Sequence, residues 1–377
     1  MKKIHVNIRY FIAPLLILSS VFGVIAGGAW VWTGVALLGI GIIVDTLTKK
    51  QTPGAGFDED GASYAIPGLQ NGVMYGMLGA FVLLQIVLAW RVWEYVNAVP
   101  IIESSLLGFA IQSGITGSQL IGACLSSGIF AGIGIIYGHE LAHTKGFSFV
   151  IARWMMALSG KAHFCYAHVY NHHLELGHKD DPATAPRGRS IYAHLPLSGL
   201  GQSKFLFNME KQRLQRLDKS FLSWQNRWIR GYAMSFPTVL LFWFAGGWIG
   251  MAALGALWLV ANFELEALNY LEHYGLIREK GQPIDYRHSW DNNTAFTSWF
   301  FIEIGRQGDH HDRGETHFWE LDDVGAPNCG RGYFSLFALT LIPSIWHKYM
   351  DEQLGKWDKE MASEGELKIA DQMRSAA

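Results

Sequence analysis

Four stretches of this chain, 10–44, 61–90, 104–138 and 231–263, carry no Asp, Glu, Lys or Arg. Each is at least 30 residues long, and a membrane-crossing helix needs only about 20 mainly apolar residues. One such run in a soluble protein reads as a buried core helix; four in one chain do not. Half of the chain is hydrophobic and 16% is charged, against roughly 25% in an ordinary soluble domain. This balance excludes a disordered chain. A net charge of −2 offers no basic surface for nucleic acid. Cys124, Cys165 and Cys329 are too few and too scattered for a disulfide framework or a thiolate metal site.

The first run is too long for one crossing and carries Gly27-Gly28 near its middle, so it predicts two helices joined by a tight turn. The fourth run, with Gly246-Gly247 at its centre, predicts a second helical hairpin. Each of the other two runs can cross once. The expected architecture is therefore an all-α integral membrane protein with six transmembrane helices, near 10–26, 29–44, 71–90, 115–138, 231–245 and 248–263. A cap, 139–230 and 264–377, completes a single membrane domain covering 1–377. The apolar stretch 332–346 is short and broken by Pro343, which predicts a packed or interfacial segment. Lys2 and Lys3 make the start basic, but no small-residue cleavage site leads into a soluble domain, so the first span is not expected to be a cleaved signal.

Six spans put both termini and the cap on one side. On that assignment 29 of the 30 Lys and Arg residues share a face, and only Arg91 lies on the other. The positive-inside rule then makes the shared face cytoplasmic.

Fourteen of the 15 histidines lie at or after His139. They gather in four places: His139-Glu140-x-x-His143, His168-x-x-x-His172-His173, Glu272-His273, and Asp309-His310-His311. Histidines four apart sit on one face of a helix, and neutral imidazole is the commonest metal ligand. Eight imidazoles exceed what one tetrahedral site can use and suit two ions. His139-Glu140-x-x-His143 also matches a zinc-protease pattern, which gives no reason for the other six. His5, His163, His194, His288, His317 and His347 read as ordinary surface or hydrogen-bonded histidines, and His178 stays open.

With these clusters, the chain resembles the membrane-bound non-haem diiron monooxygenases, namely the alkane 1-monooxygenases and the hydroxylase component of xylene monooxygenase. The marks are HELAH at 139–143, HxxxHH at 168–173, DPATAPRG at 181–188, NYLEHYGL at 269–276 and GDHH at 308–311. FWELDD at 318–323 is similar to the xylene-type branch. The resemblance implies that His139, His143, His168, His172, His173, His273, His310 and His311 hold two non-haem irons. It implies a reaction in which one oxygen atom of O₂ is inserted into a methyl group of an alkane or alkyl-aromatic hydrocarbon. Gln307 stands where the alkane-type pattern has His. It can ligate through its amide oxygen, hydrogen-bond a ligand, or be replaced by His317 or His178. Glu140, Asp180, Asp181, Glu272 and Asp309 can orient ligand imidazoles through the second ring nitrogen, and Asp309, with Glu140, is the first expectation.

No flavin or nicotinamide fingerprint and no Cys₄ set is present. The resemblance thus implies a separate rubredoxin or ferredoxin-type donor with an NAD(P)H-dependent reductase, and residence in a bacterial inner membrane. Within the same superfamily a fatty acyl desaturase or lipid hydroxylase is the competing reading. A metal transporter is another, but it would place its ligands within the spans.

Overall fold

The computed structural model describes residues 2–48, 51–52, 54–57 and 59–375. Met1, Lys49 and Lys50, which bear on the reading of the N-terminus and of the charged face, lie outside it. In chain order the helices begin with α1 (Lys2–Arg9), α2 (Ile12–Ala26), α3 (Thr33–Leu47) and α4 (Pro67–Val96). A hairpin of β1 (Ile102–Leu106) and β2 (Phe109–Ser113) follows. Then come α5 (Gly117–Ala142), α6 (Phe147–Leu158), α7 (Phe164–Ala167), α8 (His173–Glu175), α9 (Ile191–Arg216), α10 (Arg227–Met234) and α11 (Phe236–His273). The chain closes with α12 (Ala295–Phe300), α13 (Gln307–Asp312), α14 (Tyr333–Thr340), α15 (Pro343–Glu360) and α16 (Glu364–Ser375).

Among the described residues five helical segments are long and apolar enough to cross a membrane, rather than six. The fifth, Arg227–His273, contains the second expected hairpin. Gly247 there has φ +54, a left-handed conformation that a residue with a Cβ resists. Ser235 Oγ donates to the Ala157 carbonyl at 2.7 Å, and Trp258 Nε1 donates to its neighbour, the Leu158 carbonyl, at 2.7 Å. Residues equidistant from the glycine pair thus meet the same end of α6, so the chain doubles back. The first leg, from Phe236 to the glycines, has too few residues to cross alone and continues into α10. Gly27 (φ +75) and Gly28 (φ +58) make the other turn; a Cβ on Gly27 would strike the Arg91 guanidinium.

Large apolar side chains on the flanks of these helices face outward, among them Leu15, Ile40, Ile43, Val82, Ile86 and Leu259. A soluble monomer rarely exposes such continuous surface, whereas lipid covers it without cost. Trp30, Trp32, Trp90, Trp93, Trp243 and Trp248 are exposed around the two glycine turns and the end of α4. That is the aromatic belt of a membrane interface. The protein is multi-pass.

Three boundaries differ from the sequence reading. The fold is not purely helical: β1 and β2 pair antiparallel in the stretch before α5, since Leu107 (φ +52) and Gly108 (φ +84) form a tight turn. Helix α5 runs on to Ala142 and so carries His139, and α11 runs on to His273. Glu264, Glu266 and Glu272, assigned to the cap by their charge, therefore belong to a helix of the membrane base. Two ligand candidates consequently sit on continuations of the spans, at their ends and not at mid-membrane.

Buried charges tie base to cap. Asp45 of α3 accepts from Ser335 N (2.9 Å), Ser335 Oγ (2.6 Å) and Thr297 Oγ1 (3.0 Å). Arg91, the lone basic residue of the far face, is fully buried, pairs with Glu94 and donates to the carbonyls of Val24 and Ile25 at the end of α2. It is a helix-end cap, not a surface charge, so it does not weaken the charge asymmetry.

Candidate metal centre

All eight histidines of the four motifs come together at one end of α5 and α11. His139 lies in the last turn of α5, with His143 just beyond it. His168–His172 is not an ordinary helical turn but a π-helical one between α7 and α8. Such wide turns are rare and concentrate at functional sites. This one sends His168 and His172 into different groups instead of stacking them. His273 ends α11, and α13 carries His310 and His311.

The first group is His139, His143, His168 and His310. The Nε2 atom of His168 lies 2.8 Å from His139 Nε2, 3.0 Å from His143 Nε2 and 3.1 Å from His173 Nε2. One imidazole nitrogen has a single proton or a single lone pair, so it cannot be hydrogen-bonded to three others. These nitrogens are lone pairs aimed at a common point. Donors bound side by side to one ion at about 2.1 Å lie roughly 3 Å apart, which is the spacing found.

His172, His273 and His311 form the second group, their nitrogens within 4.8 Å of one another. His172 Nε2, both nitrogens of His273 and His311, and His310 Nε2 are buried without a hydrogen-bond partner. Each such orphan costs about 1–3 kcal/mol, a cost that metal coordination removes. His173 stands between the groups, its ring centroid 4.5 Å from His143 and 4.4 Å from His311. Burial first, then neighbouring imidazoles, holds His143, His168, His173 and His311 well below the usual histidine range, and His310 at about 4. All five are thus neutral at pH 7, the form that binds metal. The donor set fits two ions.

Of the candidate orienting carboxylates, Asp181 is the one that bonds one of the eight clustered imidazoles. It bonds His172 Nδ1 at 2.8 Å, which directs His172 Nε2 toward His273 and His311. Asp181 is itself held by Ala183 N (3.0 Å) and Thr184 Oγ1 (2.7 Å), so the start of DPATAPRG is a bracket for one imidazole. Arg187, later in that segment, grips Asp358 through two bonds of 2.9 and 2.7 Å and donates to the Gly275 carbonyl.

Asp309 and Glu140 do something else. Asp309 pairs with Arg313 and accepts Asp322 N at 2.7 Å, while Glu140 accepts Phe318 N at 3.0 Å. Both brace FWELDD and neither bonds one of the eight clustered imidazoles, because α13 and α5 turn these carboxylates to the sides facing that segment. Asp180 is paired with His178 and Lys280. Glu272 lies beside Gln307 and Tyr333, with Oε1 unpartnered.

His178 sits among Glu175 and Asp180, and His317 stacks on Trp319 near Glu140. Neither joins the two groups. Gln307 donates its amide to the Ile304 carbonyl at 2.7 Å. Two supports escaped the sequence reading. Asp291, pushed up to about 7 chiefly by burial, accepts Gly308 N at 2.8 Å at the start of α13. Arg306 pairs with Glu303 (3.0 Å), which also takes Arg9 (2.8 Å). Breaking such a buried pair typically costs 3–5 kcal/mol. Arg306, just before the last motif, was a visible signal; that its neighbour Glu303 also takes Arg9, 294 residues away along the chain, was not.

A family model described as fatty acid desaturase matches residues 117–339, which include all four histidine motifs. The chain belongs to the fatty acid desaturase family. Within that family its curated relatives bear monooxygenase names. It is 32% identical to alkane 1-monooxygenase 1 of Pseudomonas aeruginosa over 62% of this chain and 63% of that protein. It is 31% identical to alkane 1-monooxygenase of Acinetobacter baylyi over 63% of this chain and 60% of that protein. The chain thus spans about three fifths of these relatives' length. Against the xylene/toluene monooxygenase hydroxylase component of Pseudomonas putida the identity is 27%, over 97% of this chain and 93% of that protein. The resemblance carried by the motifs holds across the family.

Proposed function

We propose that this chain is the hydroxylase of a membrane-bound diiron monooxygenase that hydroxylates a methyl group of an alkane or alkyl-aromatic hydrocarbon. The carrying observation is the convergence of eight imidazoles, groups of four and three with His173 between them, at the ends of two spans and directly above an apolar cleft. Two irons held by His139, His143, His168, His172, His173, His273, His310 and His311 would supply the oxidising power for a C–H bond, which no side chain has. The protein's own part is to bind, orient and keep the site dry.

A cleft lined by Leu16, Ile40, Val44 and Phe296 opens on the flank of α3. It shares Ile129, Ile133 and Phe334 with a narrow cleft lying deeper toward the imidazoles, which reaches Ile136, one turn below His139. A hydrocarbon dissolved in the bilayer can enter by this side and present a methyl group upward. On the other side of the imidazoles, His143 and His173 border an open cleft with Lys145, Tyr166, Tyr170 and Arg227. We assign it to an acidic rubredoxin or ferredoxin-type donor, itself reduced by an NAD(P)H-dependent reductase. The distribution of 29 of 30 basic residues supports both termini facing the cytoplasm of a bacterial inner membrane, with 1–377 acting as one membrane unit.

The test offers octane, p-xylene and a terpene to cells expressing the chain with a generic electron-transfer pair. Alcohol products are expected from at least one substrate. Iron-loaded protein yielding only unsaturated fatty acyl chains would replace this reading with the desaturase one.

A further inference from the structure

Apart from Glu140 and Glu272, at the metal-centre ends of α5 and α11, four carboxylates lie within the membrane base, three of them buried and accounted for and the fourth half-buried. Asp45 is held by Ser335 and Thr297, Glu94 by Arg91, and Glu266 by Lys161 and Gln202. Glu264 is different. It faces the deeper apolar cleft, among Ile133, Ile136, Leu268 and Phe334. No hydrogen-bond or ion-pair partner for it exists among the described residues. Its side chain lies across Gly132 of α5, where any Cβ would collide with the carboxyl. Space has therefore been left for an acid in a channel that a plain alkane would not need. An unpartnered carboxyl at membrane depth is costly and marks a ligand contact by default. Tyr333 belongs to the same cleft wall, but its hydroxyl lies beside Glu272 and not Glu264.

We propose that Glu264 is a specificity-determining residue that hydrogen-bonds a hydroxyl group of the substrate. The preferred substrate is then a hydrocarbon carrying an alcohol at the end remote from the methyl group that is oxidised. This rests on the hydroxylase reading above. Glu264 precedes His273 by nine residues of α11, or about 13 Å of helix. An extended alcohol of roughly eight carbons has a comparable length. The reaction is R–CH₃ + O₂ + 2e⁻ + 2H⁺ → R–CH₂OH + H₂O. The electrons come from the external iron–sulfur or rubredoxin-type donor, and the distal alcohol is unchanged. A plain alkane would leave the carboxyl unsatisfied, and sites built around a hydrogen bond discriminate strongly against analogues that lack it.

Purified iron-loaded protein with its electron-transfer pair is offered octane and octan-1-ol. The wild type is expected to convert octan-1-ol to the 1,8-diol with kcat/KM at least about tenfold above that for octane. Glu264→Leu is expected to lose that preference, and Glu264→Gln, which still hydrogen-bonds, to keep most of it. A ratio in Glu264→Leu within about twofold of wild type would overturn the inference. Infrared difference spectra give a readout independent of turnover. The carboxyl C=O band assigned by its absence in Glu264→Gln is expected to shift with octan-1-ol and not with octane. An unmoved band would equally refute the contact. Failure of the wild type to oxidise either compound would instead remove the hydroxylase reading and leave the infrared result standing alone.

Discussion

The two groups of imidazoles share a chemistry but differ in what stands behind them. The first, around His168, is set by a long helix end and a π-helical turn, and together with its neighbour His173 it borders an open cleft. The second, His172, His273 and His311, is wholly buried and has Asp181 fixing one of its rings. The difference teaches that a symmetric ligand list need not mean a symmetric site. One group is placed by backbone and reachable from outside; the other is placed by a hydrogen-bonded bracket and sealed.

The largest effect expected comes from removing one ligand of each group. His310→Ala and His172→Ala should each abolish product formation. If the groups hold separate ions, each variant should fall from about two irons per chain to about one. Metal analysis beside the activity assay checks this, and retained activity removes that histidine from the ligand set.

Next in size is the bracket. Asp181→Asn should weaken iron retention about 10–100-fold against a chelator, the usual range for a partner that orients a ligand. Asp309→Asn should leave iron affinity in place and lower thermal stability instead, because Asp309 braces Asp322 and Arg313. Equal chelator sensitivity of the two variants would erase the distinction between the groups.

A smaller effect concerns acid. In the metal-free protein, burial holds His143, His168, His173 and His311 far below their unfolded value of 6.5, and His310 at about 4. Below pH 6.5 the unfolded chain takes up protons that the folded chain refuses, so stability is full above that pH and falls as it drops toward 4. Melting curves of metal-free protein should show this decline, and iron loading should flatten it. Least of all, Gln307→Ala should leave iron content unchanged, since its side chain is turned to the Ile304 carbonyl and to Glu272; a lost iron would restore Gln307 to the ligand set.

Much of this was legible along the chain because the signals are local. Glycine pairs inside charge-free runs mark both turns, as Gly247 with its positive φ shows. The eight histidines were legible because they cluster within short motifs. Charge was a poorer guide to boundaries. Glu264 was read as the start of the cap, yet it lies within α11, because a carboxylate can sit inside a span wherever packing shelters it. The choice among five nearby carboxylates also failed on proximity. Asp309 sits next to His310 in sequence, but side chains of adjacent helical residues diverge, and its bonds go to Arg313 and Asp322.

The sequence by itself determined a multi-pass apolar base, a histidine-rich cap and the eight imidazoles, since those depend on composition and on spacing within a few residues. Only the tertiary structure decided how the imidazoles divide into two groups and that Asp181 is the bracket. It also decided that Arg9 and Arg306 meet on Glu303 and that Glu264 has no bonding partner among the described residues. Each of these depends on which side chains converge from distant segments. That is set by rings from α5, α11, α13 and the π-helical turn meeting at one end of the spans, and no local pattern encodes it.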